Sequence, residues 1–90
     1  MSDEWTFLTN HAHVLIHLHN DPDARVRDLA ASIGITERSV MSILADLEAG
    51  GYVSRERIGR RNSYRVNSRL KFRHPAESGH RIGELLEIFA

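Results

Sequence analysis

Leu29-Ala30-Ala31-Ser32-Ile33-Gly34-Ile35-Thr36-Glu37-Arg38-Ser39-Val40-Met41-Ser42-Ile43-Leu44-Ala45-Asp46-Leu47 reads as two helices joined by a tight turn. Leu29, Ala30 and Ile33 share one side of the first helix, predicted over about 27–33. Gly34 follows, in the place where a left-handed residue usually closes a helix. Thr36 then caps a second helix over about 37–49. Glu37 sits in its first turn, where the helix dipole favours negative charge. Val40, Ile43, Leu44 and Leu47 stand at i, i+3, i+4 and i+7 and make one apolar stripe. Ala30 is small where the helices must approach, and Ile33, Ile35, Val40 and Ile43 are apolar where they must share a core.

The flanks complete the pattern. Thr9 caps an earlier helix over about 9–19, with Ala12, Leu15 and Leu18 at helical spacing and Val14 beside them. Asn20-Asp21-Pro22-Asp23 ends it as a turn. Ala24-Arg25-Val26 is short and fits an edge strand. On the other side, Gly50-Gly51 closes the long helix, and Tyr52 to Ile58 is rich in strand formers. Gly59-Arg60-Arg61-Asn62 reads as a turn and Ser63 to Val66 as the returning strand. Val53 and Ile58 differ in parity, which predicts a bulge or a frayed end. Residues 67–79 look irregular, with Pro75 and Gly79 as breakers. From His80 the chain is helical again, with Ile82, Leu85, Leu86 and Phe89 in one stripe. The class is mainly α with a small β-hairpin, in the order helix, strand, helix, helix, hairpin, helix.

Two short helices meeting at a glycine-containing turn are the pattern of a helix-turn-helix, and an arginine-rich hairpin directly after it makes a winged one. On these residues, and on the run Leu47-Glu48-Ala49-Gly50-Gly51-Tyr52-Val53 into a basic hairpin, the sequence resembles the winged helix-turn-helix transcriptional regulators of the MarR-like and ArsR-like group. The resemblance covers about residues 9–67, and the tail to Phe89 is similar to that of small members. It implies a DNA-binding domain over 9–67, an N-terminal extension over 1–8, and a linker with a dimerisation helix over 68–90. It also implies that the long helix enters the major groove with its N-terminal half nearest the bases. Thr36, Glu37, Arg38, Ser39, Met41 and Ser42 would then be the reading positions. Arg38 is suited to a bidentate guanine contact, Ser39 and Ser42 to phosphate or a base edge, and Met41 to a thymine methyl. Glu37 is suited to cytosine N4, or to capping the helix alone. Arg60 and Arg61 would sit at the wing tip by the minor groove, with Arg55, Arg57, Asn62 and Arg65 along the hairpin.

Composition agrees with this picture. A chain of 90 residues is one small domain, with room for one core. Hydrophobic residues are 41% and charged residues 27%, which excludes wholesale disorder. There is no cysteine, which removes disulfides, thiolate metal sites and cysteine nucleophiles. The longest apolar runs are two or three residues, so no segment spans a membrane, and Met1-Ser2-Asp3-Glu4 leads into no apolar signal segment. A cytoplasmic protein is expected. The net charge of zero conceals segregation: residues 1–50 carry eight acids and three bases, whereas residues 54–74 carry eight bases and one acid, Glu56. Such a dipole fits a polyanion approaching one surface. A solvated basic hairpin is the plain alternative.

Four of the six histidines, His11, His13, His17 and His19, fall in the first helix. His13 and His17 are four apart and share a face, so they are metal-ligand candidates, but two ligands are too few without His74, His80 or a second subunit. A polar helix face is the plainer reading, and a surface that charges near pH 6 is a third. No phosphate loop, nucleophile elbow or His-Glu-x-x-His occurs, so neither an enzyme nor a cofactor is expected. The C-terminal stripe either packs on the chain's own first helix or pairs with a second subunit. The expectation is a homodimer through Leu15, Ile82, Leu85, Leu86 and Phe89, bound to double-stranded DNA as a repressor at a pseudo-palindromic site. Nothing in the residues identifies a small-molecule effector. A second reading, a winged helix whose basic hairpin docks an acidic protein, differs in burying the exposed face of the long helix.

Overall fold

Two of the helices start at threonines the sequence marks as caps. In the computed structural model, which describes residues 5–90, the Thr9 hydroxyl accepts the Ala12 N–H and opens α1, Asn10–Asn20. The Asp21 carboxylate accepts the Asp23 N–H and turns the chain at Pro22. Helix α2, Val26–Ile33, ends at Gly34, whose φ of 86° lets its own N–H and that of Ile35 both reach the Ala30 carbonyl. Thr36 opens α3, Glu37–Ala49, by accepting the Ser39 N–H at 3.0 Å. These three helices lie within about a residue of their predicted ends. The first four residues of the expected N-terminal extension lie outside the described residues.

At Gly34 a side-chain carbon would meet nothing within 4 Å. The cost of Gly34→Ala is therefore the left-handed backbone alone, about 1 kcal/mol. A shift in the urea midpoint at unchanged slope measures it.

The core lies where α1, α2 and α3 meet. Leu18, Leu29, Leu86, Val14 and Val40 are its fully buried side chains. Val40, Ile43, Leu44 and Leu47 all point into it, as the stripe predicts. Each buried Leu or Val contributes about 1.5–3 kcal/mol by leaving water.

The hairpin consists of β1, Val53–Ile58, and β2, Arg61–Val66, paired antiparallel without interruption from Val53↔Val66 to Ile58↔Arg61. The expected bulge is absent. The parity conflict is resolved by leaving Ile58 outside, 60% exposed. The turn is also shorter than the four residues predicted. Gly59 and Arg60 alone make it, and only Gly59 has a positive φ, 63°. A positive φ at the first central position alone is the type II′ pattern that matches strand twist.

The expected strand at Ala24-Arg25-Val26 does not form, and the sheet has two strands among the described residues. The Ala24 N–H turns back to the Asp21 carbonyl, and Pro22 has no N–H to offer. A single bond remains on that edge, from the Tyr64 N–H to the Pro22 carbonyl at 3.0 Å.

Residues 67–81 are irregular but pinned. Tyr52 donates its hydroxyl to the Lys71 carbonyl at 2.6 Å, and the Ile82 N–H reaches the Leu70 carbonyl at 2.8 Å. Lys71 and Arg81 face each other in an isolated antiparallel bridge. Helix α4, Ile82–Ile88, follows, two residues later than predicted. Its stripe does not face outward. Ile82, Leu85 and Leu86 are 5%, 9% and 1% exposed, and Leu15 on α1 is 3% exposed. Ile82, Leu86 and Leu15 belong to the same core as α2 and α3. Of the five residues expected at a dimer interface, four are thus covered by their own chain. Phe89 alone stays accessible, at 46%.

The Glu84 carboxylate accepts the Arg81 N–H at 2.9 Å and faces the His80 ring at 2.8 Å. Those bonds, the backbone one first, hold its pKa below the ordinary glutamate value. A lowered folded pKa stabilises above the unfolded value and is lost as pH falls through the folded one. A carboxyl NMR titration should place the Glu84 midpoint lower in the native chain than in the denatured chain. Glu84→Gln should remove this acid-sensitive part of α4 stability.

Candidate nucleic-acid interface

Burying one stripe of α3 turns the other outward. Glu37, Arg38, Ser39, Met41, Ser42 and Ala45 are all exposed, Met41 by 62%. These include the positions predicted to read DNA, and Thr36, also predicted, is exposed as well. Thr36 is committed to the helix start: besides accepting the Ser39 N–H, its hydroxyl donates to Ser39 Oγ at 2.9 Å. Ser39 keeps its own hydroxyl proton free. Arg38 makes no hydrogen bond or ion pair among the described residues. Glu37 acts in the first turn, beside the helix N-terminus.

The two ends of α3 differ in charge. Its C-terminal half carries Asp46, 2.8 Å from the His11 ring, and Glu48, 3.8 Å from Arg55 Nε. Along α3 itself, polyanion approach is therefore favoured at the N-terminal half, where Arg38 stands.

The register divides the hairpin arginines between two faces, since side chains alternate. Arg55 and Arg57 share a face with Val53, Tyr64 and the half-buried Asn62. Arg61 and Arg65 share the other with Ser54, Glu56 and Ser63. The cations are also less free than composition suggests. Arg57 Nε donates to the Gly59 carbonyl at 3.2 Å, inside the turn. Arg61, expected free at the tip beside Arg60, is the first residue of β2, and its guanidinium donates to the Asp23 carbonyl at 2.8 Å. It braces the hairpin against the α1–α2 loop. That contact joins residues 38 apart and left no local pattern to read. Arg60 is the tip itself.

Sequence reasoning passed over Arg25 and Arg27. Both are exposed and flank the start of α2, where the helix N-terminus adds positive potential. A cation on each side of a helix start was the available clue.

His13 and His17 line an open cleft with Leu8, Ile16, Ile33 and Phe89. His13 Nδ1 is paired with Asn10 Oδ1 at 3.1 Å. Among the described residues, no group of three or more His, Asp or Glu side chains is arranged to hold a metal ion.

The family model of the MarR family matches residues 6–60, more than half of the chain. The chain belongs to the MarR family. Of the two groups the sequence resembles, the match is to MarR. This MarR-family chain is matched from before α1 to the hairpin tip at Arg60, so β2 and α4 lie beyond the matched span. No curated protein matches it. MarR-family membership indicates a winged-helix, DNA-binding regulator of transcription, and the family's members are regulators and not enzymes. No helix of the described residues is long and apolar enough to cross a membrane.

Proposed function

We propose that this chain is a sequence-reading repressor, acting in the cytoplasm as a homodimer that occupies a pseudo-palindromic operator. The observation that carries the reading is Arg38: an exposed guanidinium, unpaired among the described residues, in the first turn of a helix whose opposite stripe is buried. A planar fork in that position suits guanine O6 and N7. Ser39 and Ser42 supply hydroxyls on the same face, and Met41 an apolar contact. Arg60 at the tip suits a narrow minor groove. Arg25, Arg27, Arg55 and Arg65 suit phosphates, which fix register but carry no sequence.

Residues 9–67 form the DNA-reading part in this proposal. Pairing uses surfaces other than the C-terminal stripe. Trp5, Phe7, Ile88 and Phe89 are exposed by 73%, 91%, 72% and 46%. Leu8 and Phe89 line one cleft, which brings the segment before α1 and the end of α4 to a common surface.

Selection from a pool of random duplexes tests the reading. Enrichment of an inverted repeat supports a dimeric sequence reader and gives the half-site spacing. A folded protein that enriches nothing overturns it, and points to a winged helix docking an acidic protein.

A further inference from the structure

The reading above gives no role to the cations that follow the hairpin. Arg69, Lys71 and Arg73 follow the hairpin, all exposed, and none of their side chains makes a hydrogen bond or ion pair among the described residues. They alternate with Leu70 and Phe72, which are half-buried against the core. Lys71 stands in the isolated bridge, Arg69 in the turn before it and Arg73 in the bend after it, so the three cations lie within about 14 Å of one another along the chain. Arg81 faces Lys71 across the antiparallel bridge and adds a fourth positive charge.

Like charges placed directly opposite each other destabilise a strand pair. The chain nevertheless holds them rigidly. Tyr52 fixes the Lys71 carbonyl, the Phe72 N–H reaches the His80 carbonyl at 3.2 Å, and the Ile82 N–H reaches Leu70. Glu84 offsets Arg81 in part, and its carboxylate is already taken up by the Arg81 N–H and the His80 ring.

We propose that Arg69, Lys71, Arg73 and Arg81 form a second phosphate-binding strip that holds DNA outside the sequence read by α3. The inference rests on the DNA-reading proposal and adds a contact to it. The strip packs on Tyr52, at the exit of α3, a helix of 13 residues. It therefore lies about 20 Å from Arg38 along that helix, and about 20 Å from the hairpin tip along the strands. Its partner is the backbone of flanking duplex. Between Arg69 and Arg73 the exposed positions are all cationic, because Leu70 and Phe72 are half-buried against the core. Protein interfaces draw their affinity from buried apolar and aromatic anchors, and this strip offers none. Phosphate contacts need charge alone.

The experiment compares two duplexes: the selected site alone, and the same site extended by about ten base pairs on each side. Wild type is measured beside the triple variant Arg69→Gln/Lys71→Gln/Arg73→Gln over a salt series. The substituted side chains are exposed and the pinning bonds end on backbone, so the variant should keep the thermal midpoint of wild type. For wild type, the extended duplex should give a salt slope steeper by about 3.6 per protomer, from four phosphates at about 0.9 each. The triple variant keeps Arg81, so its slopes on the two duplexes should differ by about 1 at most, with an unchanged sequence preference. Equal slopes for wild type overturn the proposal. So does binding of polyglutamate that the triple variant loses while its DNA slopes match those of wild type, since that assigns the strip to an acidic protein. If no site is enriched at all, the sequence-reader proposal fails by itself. The strip is then judged on random duplex, where the triple variant must lower the slope by about 3.

Discussion

Arg38→Ala should weaken binding to the selected site by about 1–3 kcal/mol, roughly five- to 150-fold, and relax the base preference at one position per half-site. The effect is large because the two-pronged contact leaves both guanine acceptors unpaired when it is lost. The comparison of selected and scrambled duplexes must be made at one salt concentration, since non-specific binding varies steeply with salt. Arg38→Lys separates geometry from charge. A point charge keeps the salt slope but not the fork, so Lys should recover non-specific affinity and not base preference. Equal losses on both duplexes for Arg38→Ala would reduce Arg38 to a phosphate contact.

Leu86→Ala should cost about 2–5 kcal/mol of folding stability. That is a large part of the roughly 5–13 kcal/mol expected for 90 residues. Leu86 is 1% exposed and lies in the same core as Leu18, Leu29 and Val40. The loss should therefore be independent of protein concentration, and the whole chain should unfold at a lower denaturant midpoint. A helix stabilised by a second subunit would behave differently, since its stability follows mass action. A loss that grows on dilution would return the α4 stripe to a dimer interface.

The legible part of this fold was the part built from near neighbours. Thr9, Gly34 and Thr36 mark helix ends by bonds that span four residues or fewer, and α3 declared its buried side by spacing. The illegible part depended on distance. The periodicity of Ile82, Leu85 and Leu86 states that a face must be buried, but not by which chain. Ala24-Arg25-Val26 had strand-like neighbours, and lost its strand because Pro22 lacks a donor and Ala24 spends its own on the turn. For the candidate interface, exposure of Arg38, Ser39, Met41 and Ser42 followed from the stripe beneath them. The separation of Arg60 from Arg61 did not, because it required the register of the hairpin and the position of a loop 38 residues away.

Among the described residues, three side chains tie distant parts of the chain through the main chain: Asn20 to Phe89, Tyr52 to Lys71 and Arg61 to Asp23. In each case the acceptor is a main-chain carbonyl, which any residue at positions 89, 71 and 23 supplies. The donors are thus constrained one at a time, while their partner positions are free to drift. Paired substitution across related chains, the usual trace of two residues in contact, should be missing at all three ties. A reconstruction of this molecule from co-varying positions would recover the helical core and lose the braces that set the angle of the hairpin and the course of the tail.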